Sequence, residues 1–165
     1  MDHTNPMHIA TKSSKIDITN EKNTKLISQK ISKYLSKGDI IFLYGEVGVG
    51  KTTFIKHLIN YLQFKNNINY TEVPSPTFNI VYEYKINNLL IKHFDLYRIK
   101  SSDELKNIGL YEDQEDSIMF VEWPELIKPK PKKRIELVFN YEKNFNKRSL
   151  IIYSDFKKEV IDEYK

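Results

Sequence analysis

The chain has 165 residues, of which 40% are hydrophobic and 13% aromatic, so it is long and apolar enough to bury a core and is not wholly disordered. It has no cysteine, which excludes disulfide scaffolds, cysteine-based metal sites and thiol catalysis; its net charge of +4 permits an RNA or acidic protein partner without requiring one. No apolar run approaches the roughly 20 residues of a membrane span, and no signal-peptide segment precedes Ser13, so we expect a cytoplasmic protein without membrane contact.

The order of predicted elements along the chain indicates one α/β domain. Residues 1–15 are polar and show no periodicity, so we expect a loose, flexible extension before a single domain spanning 16–165. The elements predicted in that domain are, in chain order, a strand at 16–18, a helix capped by Thr19 or Asn20, a strand at 39–44, a glycine-rich turn at 45–50, a helix at 51–63, strands at 78–84 and 89–95, a short helix from Ser102, a strand at 118–122, strands at 135–141 and 148–153, and a helix at 155–164. A strand, turn and helix followed by hairpins predict an α/β fold with a mixed sheet.

The glycine-rich turn carries the motif on which the functional interpretation depends. It fits the pattern G-x-x-x-x-G-K-[ST], which a chain of this composition would match by chance about 0.002 times. The eight residues of the motif are Gly45, Glu46, Val47, Gly48, Val49, Gly50, Lys51 and Thr52. A buried strand precedes the motif and an amphipathic helix follows it, which is the context of a P-loop. We therefore predict a P-loop NTPase-like mixed sheet flanked by helices, with antiparallel hairpins.

The residue types in this motif suit a polyphosphate bound with a metal ion. Gly48 and Gly50 allow the backbone to wrap around a phosphate with its N–H groups pointing inward, and the following helix adds the positive end of its dipole. Lys51 is expected to reach the β- and γ-phosphates, and the Thr52 hydroxyl is expected to bind Mg²⁺. Thr53 is placed to bond the α-phosphate.

A P-loop also needs an acid near the metal, and two strands end in one. Asp95 ends the strand at 89–95, and Glu122 ends a strand whose four apolar residues indicate a central position. Mg²⁺ ligation or water positioning is one interpretation of each; the alternatives are a helix or turn cap for Asp95 and an ordinary solvated carboxylate for Glu122. Ser75 and Thr77 are interpreted either as a switch-like loop that senses the phosphate or as a rigid turn bracketed by prolines.

Four further features have both a functional and a plain structural interpretation. Trp123, directly after Glu122, is expected either to shield the site or to pack at the sheet edge. His93 is expected to be a packed or surface residue of its strand and not a zinc ligand. Among the arginines, Arg98 is the best candidate for contact with a phosphate or with an acidic group of a partner. The alternative interpretation is that Arg98 forms an ion pair on the surface. The basic run at 128–134 is interpreted as a solvated linker, with RNA contact as the alternative.

Taken together, these motifs resemble the TsaE family, small bacterial P-loop ATPases that are accessory proteins of tRNA threonylcarbamoyladenosine synthesis. The matching pieces are residues 43–53, 75–77, 93–98 and 121–124, and their order and spacing match the family over 16–153. The Phe-Asp-Leu-Tyr-Arg and Glu-Trp-Pro pieces carry most of the resemblance, because many families share the glycine-rich loop.

The resemblance implies an ATPase that uses ATP and Mg²⁺ and binds the TsaD and TsaB subunits. Its hydrolysis of ATP would support these subunits as they modify the adenosine beside the tRNA anticodon, so that tRNA is reached indirectly through the complex. By the family pattern, Thr52 and Glu122 hold Mg²⁺, and Lys51 and Asp95 complete the catalytic residues.

The same resemblance implies further contacts with the nucleotide and with partners. Ile18, with Thr19, would lie beside the adenine, and a basic residue of the last hairpin, Lys147 or Arg148, would approach the nucleotide. Thr77 would lie on a switch-like loop.

Three other classes of function remain open on the sequence. A P-loop small-molecule kinase is the main alternative, although the three scattered arginines do not form an arginine-rich lid. A GTPase switch would need a carrier of guanine specificity, and no Asn-Lys-x-Asp follows the loop. A binding module that keeps the nucleotide as a structural ligand is the last alternative.

Overall fold

The computed structural model describes residue 9 and residues 11–165. Its strands are β1 (Ile16–Asp17), β2 (Ile40–Tyr44), β3 (Val81–Ile86), β4 (Leu89–Asp95), β5 (Ser117–Glu122), β6 (Ile135–Glu142) and β7 (Lys147–Tyr153). Its helices are α1 (Glu21–Ser32), α2 (Lys51–Lys65), α3 (Ser102–Asn107) and α4 (Glu159–Asp162). This architecture confirms the predicted α/β fold with a mixed sheet and antiparallel hairpins. Over the described part of the chain, no helix has the length and hydropathy needed to cross a membrane.

The seven strands form one sheet in the order β1-β7-β6-β2-β5-β4-β3. β2 is parallel to both β5 and β6, and β4 is parallel to β5, so the four central strands run in one direction. β1, β3 and β7 are antiparallel to their neighbours. In this register Glu122 lies between Asp95 of β4 and Leu43 of β2. The carboxyl ends of these strands therefore meet at one edge, where open α/β sheets bind ligands.

Alternating side chains of the central strands fill two cores, one on each face of the sheet. In β2, Ile41 and Leu43 pack into the cluster that α1 and α2 cover. Ile40, Phe42 and Tyr44 belong to the cluster on the opposite face. Since burying a side chain of this size contributes about 1.5–3 kcal/mol, the fully buried strand holds the start of the glycine-rich loop firmly in place.

Local hydrogen bonds determine where α1 begins and ends. The side-chain oxygen of Asn20 accepts a hydrogen bond from the backbone N–H of Lys22 at 2.9 Å, so Asn20 and not Thr19 is the cap. Residues 33–35 donate to carbonyls three residues earlier, a tighter turn than an α-helix. The helix therefore ends at Ser32, and the chain reaches β2 through a short turn.

The C-terminal helix is shorter than the sequence predicts. It spans only Glu159–Asp162, whereas apolar periodicity predicts 155–164. The Ser154 hydroxyl accepts a hydrogen bond from the backbone N–H of Lys157 at 3.1 Å, and this local bond holds the preceding residues in a turn.

Residues 11–15 are attached to the sheet, so the expectation of a loose segment is wrong for them. The backbone N–H of Ser13 donates to the carbonyl of Ile152 at 2.9 Å, and the Ser13 hydroxyl accepts from the Ile152 N–H at 3.0 Å. Lys12 forms an antiparallel bridge with Tyr153. The sequence did not reveal this pairing because the segment has no apolar alternation. Residues 1–8 and 10 of the expected extension lie outside the described residues.

A buried ion pair lies at the start of β6. One of its two residues, Arg134, belongs to the basic run interpreted as a solvated linker. Arg134 Nε donates to Glu136 Oε1 at 2.6 Å, and neither side chain is more than 6% exposed. The Lys130 ammonium lies 3.8 Å from the same oxygen. The Tyr44 hydroxyl also approaches this oxygen, and burial, followed by the charge of Glu136, raises the pKa of Tyr44 above its ordinary value. Arg134 is therefore part of the core, and only part of the basic run is solvated.

Replacing Arg134 by methionine is expected to lower the free energy of unfolding by about 3 kcal/mol, because Glu136 would keep a buried charge without its closest partner. Urea unfolding measures this difference. The double variant Arg134→Met, Glu136→Gln is expected to recover most of the loss, since the buried charge is then gone. A single variant as stable as the unchanged chain would contradict this account.

Candidate functional site

A glycine-rich loop joins the buried end of β2 to the start of α2. Gly45 has a φ of +137°, and a Cβ there would lie 2.6 Å from the Phe139 carbonyl oxygen, so no larger residue fits. Gly50 has a φ of +119° and caps α2 without any side-chain hydrogen bond to the helix. The first N–H groups of α2 therefore keep their hydrogen-bonding capacity for a ligand, at the positive end of the helix dipole.

The side chain of Lys51 folds back over this loop. Its ammonium donates to the carbonyl oxygens of Gly45 at 2.7 Å and of Glu46 at 2.9 Å, and the side chain is only 4% exposed. Burial lowers the pKa of Lys51, whereas the nearby carboxylates of Glu122 and Asp95 oppose that shift. An anion entering the loop would give the ammonium a charged acceptor in place of two neutral carbonyls.

An aromatic pair covers the Lys51 ammonium on its outer side. The ammonium lies 4.4 Å from the centre of the Trp123 ring, and Tyr97 packs on Trp123 with ring centres 4.9 Å apart. Trp123 has a φ of +58°, in the left-handed region, so the chain turns sharply as it leaves β5. The ring lines the cavity and also packs against the core cluster that contains Phe42 and Tyr44, so its position fits both interpretations of Trp123.

Two donors share one oxygen of Glu122. The Thr52 hydroxyl donates to Glu122 Oε1 at 2.8 Å, and His93 Nε2 lies 2.8 Å from the same oxygen. His93 is fully buried, and its Nδ1 has no hydrogen-bond partner among the described residues. Because a carboxylate oxygen can only accept, the N–H group at His93 Nε2 is the donor of this hydrogen bond. The second oxygen, Oε2, accepts no hydrogen bond from the described residues and is available to a ligand.

The full burial of His93 agrees with the prediction of a packed strand residue, whereas its contact with Glu122 in the candidate site was not predicted from the sequence. The available signal was its position two residues before Asp95, since residues two apart on a strand share a face. Recognising the contact also required the register that places β4 beside β5.

Asp95 holds the segment that carries Ser75 and Thr77. Its Oδ2 accepts hydrogen bonds from the Ser75 hydroxyl at 2.7 Å and from the Thr77 hydroxyl at 2.8 Å. Its Oδ1 accepts the backbone N–H of Tyr97 at 3.0 Å. Both oxygens of Asp95 are thus engaged, in contrast to Glu122. The structure brings the two hydroxyls to the same acid, where a ligand could compete for them.

These groups surround a cavity of about 320 Å³ at the carboxyl edge of the sheet. The residues that line it are Val47, Gly48, Gly50, Lys51, Thr52, Thr53, Ser75, Thr77, Asp95, Tyr97, Glu122 and Trp123. All of them except Tyr97 were singled out from the sequence. The cavity thus combines a cation, a helix N-terminus, three hydroxyl groups near the acids, and two carboxylates.

Other residues predicted to contact the nucleotide lie outside the cavity lining. Gly45 and Glu46 act through the carbonyls that hold Lys51. Val49 is buried and packs in the core beneath the loop. The side chain of Ile18 is only 2% exposed and packs in the same core, so it is not available to a ligand in this conformation.

The basic residues that were predicted to contact the nucleotide or a partner also lie outside the cavity lining. Lys147 is exposed at the start of β7, whereas the Arg148 guanidinium lies 5.6 Å from the centre of the Tyr141 ring. The Tyr141 hydroxyl donates to the Val47 carbonyl oxygen at 3.2 Å, so Arg148, and not Lys147, lies next to a residue that contacts the glycine-rich loop. Arg98 lies over the exposed ring of Phe78, 5.0 Å from its centre, outside the cavity.

The oxygen donors of the cavity fit Mg²⁺, which prefers carboxylate and hydroxyl oxygens and completes its shell with water and phosphate. Thr52 and Glu122 supply such oxygens side by side. Within residues 9 and 11–165, no group of three or more His, Cys, Asp or Glu side chains could hold a metal ion alone. An ion bound by Thr52 and Glu122 would complete its shell with oxygens from water or from a bound phosphate.

The fold and site define an α/β protein whose glycine-rich loop faces two acids at the carboxyl edge of a mixed sheet. The crystal structure of YdiB from Bacillus subtilis has the same fold, with a TM-score of 0.71 and 24% sequence identity over 95% of this chain and 96% of that chain. The family model described as "Threonylcarbamoyl adenosine biosynthesis protein TsaE" matches residues 18–150, and the chain belongs to this family. The resemblance inferred from the motifs is thereby confirmed.

Several curated relatives carry the name "tRNA threonylcarbamoyladenosine biosynthesis protein TsaE". The one from Aquifex aeolicus is 34% identical over 137 residues, which are 82% of this chain and 92% of that protein. The one from Bacillus subtilis is 35% identical over 72% of each chain. The one from Rickettsia felis is 37% identical over 67% of this chain and 63% of its own length, so the chain spans less than two thirds of that relative.

Proposed function

We propose that this chain is a Mg²⁺-dependent ATPase that supports a TsaD–TsaB complex in forming threonylcarbamoyladenosine in tRNA. The observation that carries the proposal is the cavity where Lys51, the start of α2 and the Thr52–Glu122 pair converge. Membership of a family named for threonylcarbamoyladenosine biosynthesis supports the pathway. The motif resemblance is the basis for proposing TsaD and TsaB as partners and for proposing that tRNA is reached through them.

The proposed chemistry is transfer of the γ-phosphoryl group of ATP to water. Lys51 and the N–H groups at the start of α2 supply positive charge where negative charge develops on the phosphates. Thr52 and Glu122 would hold Mg²⁺, which when bound draws electron density from the phosphate oxygens.

The carboxylates of Glu122 and Asp95 differ in whether an oxygen remains free to bind a ligand. Glu122 Oε2 accepts no hydrogen bond from the described residues, whereas both oxygens of Asp95 are engaged. We therefore assign water and metal positioning to Glu122. Asp95 is assigned to holding Ser75 and Thr77, whose hydroxyls turn to the γ-phosphate when it arrives.

Phosphate release tests the proposal directly. The chain alone is expected to hydrolyse MgATP slowly, and adding TsaD, TsaB and tRNA is expected to raise the rate at least about tenfold, since a partner can complete the charge around the phosphates. A rate that the partners leave unchanged would contradict their role. Nucleotide bound but never hydrolysed, even with partners, would identify a binding module instead.

The same assay separates the kinase and GTPase alternatives. None of the chain's three arginines, all in the described part, lines the cavity as a kinase lid would require. Transfer of the labelled γ-phosphate to a nucleoside or sugar would identify a kinase, and tighter binding of GTP than of ATP would identify a guanine-specific switch.

Replacing His93 by leucine is expected to lower turnover about 10- to 100-fold with little change in KM for ATP, because Glu122 Oε1 loses a buried donor that orients it. His93→Gln is the matched variant, since its side-chain amide can donate from nearly the same place, and it is expected to restore most of the rate. Equal losses in both variants, or a change in KM alone, would contradict a positioning role.

A further inference from the structure

A groove with a volume of about 510 Å³ lies between α1 and α2. One turn-by-turn stripe of α2, at positions i, i+3, i+4 and i+7, lines it, and the residues of this stripe are His57, Asn60, Tyr61 and Phe64. Lys25 and Gln29 of α1, four residues apart and therefore on one helix face, line its other side. The groove is thus built from two stripes that the core does not use.

Two exposed aromatic rings lie at the end of this groove. Phe64 is 62% exposed and Tyr70 is 65% exposed. The segment after α2 is folded back on the buried Gln63, whose Nε2 donates to Thr71 Oγ1 at 2.8 Å and whose Oε1 accepts the Thr71 N–H at 3.2 Å. These bonds hold Tyr70 in the groove lining, and both rings also line a second concavity of about 360 Å³. Much of the surface of each ring is therefore free for a ligand.

The groove carries positive charge that is not neutralised. Lys22, Lys25 and Gln29 recur at positions i, i+3 and i+7 of α1, so the two lysines share the face that borders the groove. Both lysines are exposed, and neither forms an ion pair with a described residue. Glu21 Oε1 lies 2.8 Å from His57 Nε2, and no carboxylate of the described residues lines either concavity. The groove thus presents free ammonium groups beside free aromatic surface.

This combination fits a nucleic acid strand better than a protein segment. Lysine is depleted in the cores of protein–protein interfaces. Surfaces that bind single-stranded nucleic acids combine basic groups for the phosphates with aromatic side chains on which bases stack. The amides of Gln29 and Asn60 both donate and accept hydrogen bonds, as the edges of unpaired bases do.

We propose that the α1–α2 groove binds an unpaired RNA segment, with bases stacked on Phe64 and Tyr70 and with Lys22 and Lys25 against the backbone phosphates. Phe64 lies about 20 Å along α2 from Lys51, so this surface is separate from the phosphate cavity. The groove does not require ATP, whereas the choice of RNA as the strand rests on the proposed function in a tRNA pathway. The chain would then contact RNA directly, in addition to tRNA reached through partner subunits.

Fluorescence anisotropy of a labelled single-stranded RNA of about 12 nucleotides, titrated with the full chain, tests the stacking surface. Phe64→Ala and Tyr70→Ala are each expected to weaken binding about 5- to 100-fold. Phe64→Tyr keeps a ring and is expected to retain the affinity. Phe145→Ala is the matched control, since Phe145 is 67% exposed in the turn between β6 and β7, and it is expected to leave the affinity unchanged.

The salt dependence of the same titration tests the phosphate contacts. Lys25→Gln is expected to weaken binding and to reduce the slope of log K against log salt concentration by about 0.7, the value for one phosphate contact of a single strand. Lys132→Gln is the control, because it neutralises an exposed lysine of the basic run outside the groove. Equal losses in the two lysine variants would show binding by general charge and would refute the groove.

The remaining outcomes separate this inference from the proposed function. The groove is refuted if the unchanged chain does not bind the RNA at low salt, or binds a fully paired RNA duplex as tightly. Groove variants that keep the affinity for RNA and bind TsaD and TsaB more weakly would identify a protein-docking surface instead. Tighter binding of DNA of the same sequence would overturn the choice of RNA. Groove variants are expected to keep the melting temperature and the rate of MgATP hydrolysis, so a chain that binds RNA in the groove and hydrolyses no ATP would refute only the proposed function.

Discussion

The Lys51→Met variant is expected to lose at least about 100-fold in affinity for MgATP, since charged hydrogen bonds to two phosphates contribute about 1.5–3 kcal/mol each. Methionine has a similar length and no charge, so it removes the ammonium and keeps most of the packing. The matched control is Lys56→Met, which changes an exposed lysine of the same helix. Calorimetric titration of both variants measures the difference, and tight ATP binding by Lys51→Met would contradict the proposed site.

The same substitution is expected to leave the melting temperature unchanged or to raise it. Burial lowers the pKa of Lys51, so in the absence of a ligand its charged form costs stability. Because the folded pKa lies below the unfolded value, this cost is fully present below the folded pKa. It disappears as the pH rises through the folded pKa toward the ordinary value of 10.5. The stability difference between the variant and the unchanged chain should therefore shrink with rising pH, and a variant that unfolds more easily at neutral pH would contradict the assignment.

The Glu122→Gln variant is expected to bind MgATP within a few-fold of the unchanged chain and to lose at least about 100-fold in turnover. The amide keeps the size of the side chain and can still accept the hydrogen bond from Thr52. It lacks the negative charge that places Mg²⁺ precisely and orients an attacking water, whereas Lys51, Thr52 and the start of α2 remain to hold the phosphates and the ion. Single-turnover hydrolysis in the presence of the partner subunits separates this chemical loss from any change in binding.

Glu83→Gln is the matched control for Glu122→Gln, because it neutralises an exposed carboxylate on the edge strand β3. Its turnover is expected to equal that of the unchanged chain. Undiminished hydrolysis in Glu122→Gln would refute the role of Glu122, and loss of ATP affinity equal to the loss of turnover would indicate that the side chain shapes the loop and not the reaction.

The parts of the site that are local in sequence could be predicted from the sequence. Gly45 to Gly50 form one turn between the buried strand β2 and the helix α2, so the motif and its context together predict its shape. Asp95 and Glu122 end apolar strands, and the carboxyl ends of parallel strands share one edge. The sequence therefore predicts that both acids lie near the loop.

Contacts that depend on register or on tertiary pairing could not be predicted. His93 meets Glu122 only because β4 and β5 pair in one register, and no spacing along the chain encodes that register. Arg134 looked like part of a solvated basic run because its partner, Glu136, is buried by tertiary packing. The family resemblance implies that Ile18 lies beside the adenine, whereas its side chain packs in the core.

The indole over Lys51 has an optical consequence. Trp123 is the single tryptophan of the chain, and its ring lies 4.4 Å from the ammonium that the proposed ligand would engage. Tryptophan emission depends on nearby charge and on solvent, so fluorescence excited selectively from tryptophan, and not from the 11 tyrosines, reports on this one place. The cavity can therefore be followed in real time, without a label, as it fills and empties.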